Sequence, residues 1–363
     1  MKSVIINMSD RKFLFIAFVF VVIASVSFGQ QGTGLQTSIA VDAVVEIKAD
    51  DESSADDRLV IRGTEIAFYG PIDHLFDGML SLAAHPENGE SLFEIHEAFI
   101  GSTRLIPRSR FRLGQFFLGL GRLNQIHQHD WPFISAPYIH QFVFNDSEGA
   151  IDTGLEYSIL MPGPVFLDVT LGATDGFTYG HSHDAGKKPQ HPNYYVHVKS
   201  FFNLLDFAFQ PGISYLQRID HEKRTISLLG LNLTGKKREG KVLRWLFESE
   251  FWHQTVRPQS EGEQENTFGF YLYPQYGFNG HWFLGIRGDY FTNLSLESLS
   301  GAKIKNYRRA IVPTLTYKAS EFSTFRLAYT DEKAVHLKSE KGSNKLLQFQ
   351  AAFILGAHPA HDF

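Results

Sequence analysis

Sixteen histidines are spread through a chain of 363 residues that contains no cysteine. Two groups of them have the type and spacing of metal ligands. His127, His129, Asp130 and His140 form one; His181, His183, Asp184 and His191 form the other. Neutral imidazole with carboxylate suits Zn²⁺ and similar borderline cations. The His127-x-His129 and His181-x-His183 pairs would each present two rings to one side, because residues two apart on an extended segment face the same way. Three or four ligands converge if the two segments meet. The alternative for the first group is a packed loop held by hydrogen bonds, since Trp131, Pro132, Phe133 and Pro137 surround it. Simple solvation of the loop histidines is the alternative for both groups, so weak Zn²⁺ binding is a candidate property and no cofactor is required. Without cysteine, thiolate sites, cysteine nucleophiles and disulfides are excluded.

A second set of residues has the pattern of a wet wall. Arg110, Arg112, Asp152, Glu156, Asp168, Lys199, Arg244, Glu248, Glu250, Arg287, Asp289, Arg308 and Arg326 stand opposite large apolar side chains on alternating segments. A strongly selective anion channel calls for a ring of one sign. Both signs occur here, so the expected role is pairing across a hydrated wall, with weak selectivity. Glu248 and Glu250 share a face, but no Ser-His-Asp set or cleft signal accompanies them, and no enzyme activity is expected. Gly119-Leu120-Gly121 lacks the strand–helix context of a nucleotide loop. A net charge of −5 predicts no bulk attraction to nucleic acid.

The elements that must position these residues read as strands. Sixteen candidates fall at 37–47, 58–69, 75–84, 91–104, 109–119, 150–160, 165–174, 194–202, 206–218, 224–234, 242–254, 267–277, 281–293, 305–318, 322–332 and 345–356. Most are near the ~10 residues that a tilted strand needs to cross a bilayer's hydrocarbon layer. The alternation is clean in several. Leu243, Trp245, Phe247 and Phe251 oppose Arg244, Glu248 and Glu250; Leu347, Phe349 and Phe353 oppose Gln348 and Gln350. Such a strand meets lipid on one face and a polar interior on the other. Connections alternate short and long, with 235–241 long for its class and 219–223 brief. The fold class is all-β: a transmembrane antiparallel barrel with short periplasmic turns and long external loops. Sixteen strands leave an aqueous channel. The longest connection, 120–149, is expected to fold inward and narrow it.

The ends agree with this reading. Residues 1–29 have the layout of a secretory signal, with Arg11 and Lys12 before the apolar stretch Phe13 to Val26 and small residues at Ser27-Phe28-Gly29. The barrel then occupies 30–363. No later stretch approaches the ~18 apolar residues of a membrane helix. Phe363 is an aromatic end of the kind used as an assembly signal by outer-membrane barrels, which makes the barrel-assembly machinery an expected partner. Outer-membrane lipid and small hydrophilic solutes or metal ions are the others, and a homotrimer is compatible with the aromatic-rich exterior (33 Phe, 14 Tyr and 4 Trp).

Two stretches carry a family resemblance: Arg112 through Phe133, with its Gly121-Arg122-Leu123-Asn124-Gln125-Ile126-His127-Gln128-His129-Asp130-Trp131-Pro132 core, and the ending Leu355-Gly356-Ala357-His358-Pro359-Ala360-His361-Asp362-Phe363. Together they resemble bacterial zinc-regulated outer-membrane receptors, a group related in architecture to phosphate-selective porins. The resemblance implies the same barrel and an outer-membrane location. The receptor label of that family implies dependence on an energy-coupling protein, but strand candidates starting near residue 37 depart from a plugged receptor and favour a porin-like channel. The expected function is diffusion of small hydrophilic solutes, with His-rich external loops that gather a divalent metal such as zinc. An anion or phosphate-type porin and a surface-binding barrel without transport are the alternatives.

Overall fold

The computed structural model describes residues 34–48, 59–87, 90–144, 148–176, 179, 191–258, 264–293, 307–335 and 341–356. The candidate signal 1–29, the ligand candidates His181, His183 and Asp184, and Phe363 lie outside them.

Sixteen strands run in chain order: β1 Gln36–Lys48, β2 Leu59–Pro71, β3 Asp77–Glu87, β4 Glu90–Ser102, β5 Ser109–Phe117, β6 Ile151–Leu160, β7 Phe166–Thr174, β8 Asn193–Leu204, β9 Phe207–Ile219, β10 Thr225–Glu239, β11 Val242–Arg257, β12 Glu265–Gly277, β13 Trp282–Asn293, β14 Tyr307–Ser320, β15 Ser323–Val335 and β16 Lys341–Gly356. Each pairs antiparallel with its chain neighbours, and β1 pairs with β16 from Ser38↔Gly356 to Lys48↔Leu346. The ring is closed, so among the described residues no strand is left as a free edge of the sheet. That closure is what lets a β-sheet lie in hydrocarbon.

The period-two pattern sorts side chains between lipid and interior. Leu229, Leu231, Trp245, Leu272, Trp282, Leu284, Ile286, Ile311, Leu327, Leu347, Phe349 and Phe353 are exposed on the outside, while Asn232, Glu248, Arg287, Thr314, Arg326, Gln348 and Gln350 are buried within. Aromatic rings gather at both ends of the outer belt. Near the short turns, Trp245 lies 4.7 Å from Tyr276 and Trp282 lies 4.6 Å from Tyr317, centroid to centroid. Near the other rim, Phe268, Phe270, Tyr290 and Tyr307 form a second girdle. Two such girdles bracket an apolar band of roughly 25 Å in outer-membrane barrels.

Two local departures from strict alternation matter for the interior. The β1–β2 register shifts between Asp42 and Ala43, which makes Arg62 an extra residue on β2. The β3–β4 register shifts between Ser81 and Leu82, which makes His96 an extra residue on β4. A bulge lets two consecutive residues point to the same side. His96 and Glu97 are accordingly both buried, at 4% and 7% exposure. One expected boundary is corrected. β10 continues through Lys236, Lys237 and Arg238 to Glu239, so the 235–241 connection shrinks to a tight turn at Gly240 (φ 59°) and Lys241. The charges read as loop, yet Lys237 lies 5.9 Å from the Phe207 ring and 3.8 Å from Asp206, at the polar rim where a cation sits comfortably.

After β5 the chain turns into the barrel. Gly121 makes the turn at φ 60°, where a Cβ would sit 2.7 Å from Trp252. Asn124, fully buried, joins the two ends of the loop: its amide donates to the Leu118 carbonyl at 2.7 Å and its oxygen accepts from Ala150 N–H at 2.5 Å. Two single-turn 3-10 helices, Leu123–Gln125 and Gln128–Asp130, and the short helix α1 Tyr138–Phe144 follow.

Candidate functional site

The inward loop is held to the wall by polar contacts from several directions. On β11, Glu250 accepts the backbone N–H of Leu123 at 2.8 Å and that of Arg122, and also takes Trp252 Nε1–H at 2.9 Å. On β6, Glu156 accepts Gly119 N–H at 3.0 Å, the Tyr195 hydroxyl at 2.7 Å and the Arg112 guanidinium at 2.7 Å. Arg287 on β13 donates to the Ser135 carbonyl, and Arg62 on β2 donates to the Ile134 carbonyl. Tyr273 on β12 donates to the Pro132 carbonyl at 2.9 Å. Buried loop carbonyls and amides need partners, and the wall supplies them.

Apolar packing completes the seat. Trp131 and Phe133 are fully buried against Leu246, Tyr271 and Tyr273. Ile134 packs with Val44, Ala310, Val312 and Ala328, and Ile139, Val143 and Phe144 pack with Leu216, Leu228 and Trp252. Here the inward loop and the wall form an apolar core inside the barrel, in keeping with the packed loop that Trp131, Pro132 and Phe133 predict.

A cavity of about 220 Å³ remains between the loop and β2–β5 and β8–β10. Arg110, Arg112, Arg122 and Lys199 line it, with Glu65, Glu97, His127 and His197. These cations have acidic neighbours. Arg112 pairs with Glu156 at 2.7 Å, Lys199 with Asp168 at 3.9 Å and Arg122 with Glu248 at 3.9 Å.

The thirteen wall candidates thus divide by place. Arg110, Arg112 and Lys199 face the cavity, with Asp168, Glu156 and Glu248 beside them or beside Arg122. Glu156, Glu250 and Arg287 hold the loop, and Asp289 holds Arg287 at 3.0 Å. Asp152 ties Thr174 Oγ1 at 2.6 Å, Gly176 N–H at 2.7 Å and Asn193 at 3.1 Å. Arg308 pairs with Glu332 at 2.7 Å and lies over the Tyr138 ring; Arg326 donates to Gln350 at 2.7 Å. Arg244 sits at the turn rim, bound to Glu239 at 2.8 Å and to the carbonyls of Gly277 and Phe278.

The ligand candidates are also separated. His127 Nδ1 lies 2.9 Å from Glu65 and its Nε2 lies 3.3 Å from Glu97. Burial disfavours charge on this imidazole, but the two carboxylates outweigh it and lift His127 well above the usual histidine range. His129 stacks on His127 at 5.6 Å and meets Asp130 at 3.3 Å; burial opposes its charge, Asp130 favours it, and the net direction is upward. His140 does not join them. It is fully buried between Trp131 (5.1 Å) and Phe144 (4.8 Å), and burial drives it down to about 3. It is a neutral packing residue of the loop. His191 is exposed.

What His127 meets instead is a set of wall residues that the loop-centred reading of the histidines passed over. Glu65, His96 and His127 converge, and so do His85, Glu94 and His96. The signal was present in part, because Glu94-x-His96 alternates on one strand face. The bulge that adds Glu97 to that face leaves no mark in the alternation.

No family model matches the chain. A protein of Aquifex aeolicus described as uncharacterized is 26% identical over 334 residues, covering 82% of this chain and 69% of that protein. Among solved structures, the anion-selective porin of Comamonas acidovorans superposes with a TM-score of 0.63 at 9% identity, covering 88% of this chain and 99% of that one. OmpT of Vibrio cholerae, in a trimer form, gives 0.61 at 10% identity over 88% and 99%. OmpF of Salmonella typhi in complex with daunomycin gives 0.60 at 11% identity over 89% and 98%. The likeness shows the fold, a closed sixteen-stranded barrel of the outer-membrane porin kind. With its lipid-facing belt, the chain is a bacterial outer-membrane barrel.

Proposed function

We propose that the protein is a passive, porin-like channel for small hydrophilic solutes, divalent cations such as zinc among them. The observation that carries this reading is the cavity between the seated loop and the charged wall. It is polar and lies inside a closed ring of strands. The loop, pinned at Glu250, Glu156, Arg287, Arg62 and Tyr273, narrows the passage to that side. Charges of both signs line the route, which supports weak selectivity. Among the described residues, the cavity is lined by charged and amide side chains suited to passing a solute, and the proposal is transport without chemistry.

A second reading is favoured by one specific observation. Four cationic side chains, Arg110, Arg112, Arg122 and Lys199, line the cavity against two carboxylates, Glu65 and Glu97. That balance supports anion passage. Planar-bilayer recordings of the purified barrel under a KCl gradient separate the two. A reversal potential near zero supports the weakly selective channel; a strong anion potential supports the second reading; folded protein without conductance defeats both and leaves a surface-binding barrel. A trimer in the membrane is part of the proposal, tested by cross-linking in native outer-membrane vesicles.

A further inference from the structure

We propose that the lumen wall binds one borderline divalent cation at a time, in two overlapping positions that share His96. The inner position is Glu65, His96 and His127; the outer is His85, Glu94 and His96. In each set the ligand atoms lie within 4.8 Å of one another. Ligands on a tetrahedral Zn²⁺ stand about 3.4 Å apart, so the side chains need to close by an ångström or so. Their present spacings are already near that value. Glu65 Oε2 is 2.9 Å from His127 Nδ1 and 4.0 Å from His96 Nδ1. Glu94 Oε1 is 3.2 Å from both His85 Nε2 and His96 Nε2.

Three further observations point to a cation. First, Glu148 reaches His96 Nε2 at 3.3 Å and Glu97 reaches His127 Nε2 at 3.3 Å, so four carboxylates surround three imidazoles. Partly buried carboxylates at this density call for positive charge, which a divalent cation supplies when it displaces the proton that they hold on His127. Arg62, which lines the same space, is already held by Asp42 and the Ile134 carbonyl. Second, a small cavity of about 40 Å³ is lined by Glu65, His85, His96, His127 and Glu148. That is room for one water-sized ion. Third, donors of imidazole and carboxylate type suit Zn²⁺ and its neighbours rather than Mg²⁺ or Ca²⁺.

The sharing of His96 sets the stoichiometry. A neutral imidazole offers one lone pair. Its Nδ1 faces the inner set and its Nε2 the outer, so His96 serves one position or the other. The outer set sits on the β3–β4 hairpin, at the end of the barrel that carries the longer loops. The inner set opens through Glu65 and His127 onto the main cavity. An ion passes from one to the other around a single ring, held by three ligands at each stage and by no closed four-ligand cage. A site built to release its ion has this form. The inference deepens the channel reading and rests on it for the ion's onward route, not for its binding.

The test is calorimetric titration of Zn²⁺ into chelator-stripped protein in detergent, with KCl conductance measured on the same preparations. One Zn²⁺ per chain is expected. His96→Gln should weaken binding by at least about 100-fold, because it removes a ligand from both positions. His85→Gln and His127→Gln should each keep one Zn²⁺ with a smaller loss, and the double variant should match His96→Gln. His191→Gln, on the exposed loop, should bind as the native protein does. X-ray absorption of the native zinc complex should show mixed imidazole and carboxylate ligands, which tests the site even if His96→Gln fails to fold. Two Zn²⁺ per chain, unchanged binding in folded His96→Gln, or no saturable binding overturns the proposal. Conductance without zinc binding removes the metal site alone; binding without conductance removes the channel.

Discussion

The two sides of the lumen share one sheet and one loop, yet they do opposite things. Against β11–β15, the loop buries Trp131, Phe133 and Ile134 among Leu246, Tyr271, Tyr273 and Val312, and its polar backbone is capped by Glu250, Arg287 and Tyr273. Against β2–β5, the same loop offers His127 to Glu65 and Glu97 and leaves a charged cavity beyond. The first side is a seat and the second holds the cavity, the passage of the proposed channel. An inward-facing charge is therefore no guide to a pore by itself. Glu250 and Arg112 both occupy inward positions, but Glu250 binds loop amides while Arg112 lines the cavity.

The largest effects should come from breaking the seat. Trp131→Ala removes a fully buried ring and should cost about 3–5 kcal/mol of loop packing. The barrel should still fold, as judged by heat-modifiable gel mobility, and single-channel conductance should rise; unchanged conductance in the folded variant would place the narrowing elsewhere. Arg287→Ala should be nearly as severe, about 3–5 kcal/mol, because Asp289 is left buried without its partner. Arg287→Ala with Asp289→Ala should recover part of that loss, and a double-mutant cycle measures how much.

The next effect sharpens the comparison through pH. His140 has its pKa lowered from 6.5 to about 3 by burial. The unfolded chain therefore takes up a proton between those values that the seated loop refuses. This contribution is complete above pH 6.5 and is lost as pH falls toward 3, at up to about 1.4 kcal/mol per pH unit. His127, raised on the passage side, has the opposite sign: its contribution is complete below 6.5 and is lost as pH rises through its elevated value. The informative quantity is thus the difference between native protein and His140→Phe, whose thermal unfolding should lose its share of the acid dependence. Parallel melting curves for the two from pH 7 to pH 4 would contradict the neutral, buried assignment.

The smallest effect on stability should follow a change in the passage. Arg110→Gln should alter unfolding by no more than about 1 kcal/mol. It should still move the reversal potential toward cations, since one positive charge leaves the cavity lining. A change in stability with no change in potential would make Arg110 part of the seat.

Much of this was legible in the residues. Trp245, Phe247 and Phe251 against Glu248 and Glu250 place β11 and its two faces without any tertiary information, while Leu243, read as outward, packs with the inner cluster around Tyr271 and Tyr273. The same holds for Trp282, Leu284 and Ile286 against Arg287 and Asp289. The inward turn of the long loop was expected from its place after the fifth strand, and its density of Trp and Pro pointed to packing. Less visible was the end of β10, where Lys236, Lys237 and Arg238 looked like loop until the rim gave them Asp206 and an aromatic neighbour. The histidines were read in pairs along the loop, but His127 pairs with β2 and β4 and leaves His140 behind in an apolar niche.

The chain by itself determined a closed antiparallel barrel and, for its cleanest strands, which side meets lipid, because side-chain direction alternates every residue and transfer to hydrocarbon selects one phase; the pairing of β1 with β16 closed the count at sixteen. Only the tertiary structure decided which inward residues seat the loop, which line the passage and which histidines meet. Those outcomes depend on two one-residue bulges, at Arg62 and His96, and on a loop that crosses the barrel to partners more than a hundred residues away, such as Glu250 and Ser135's partner Arg287. Local periodicity carries no term for either.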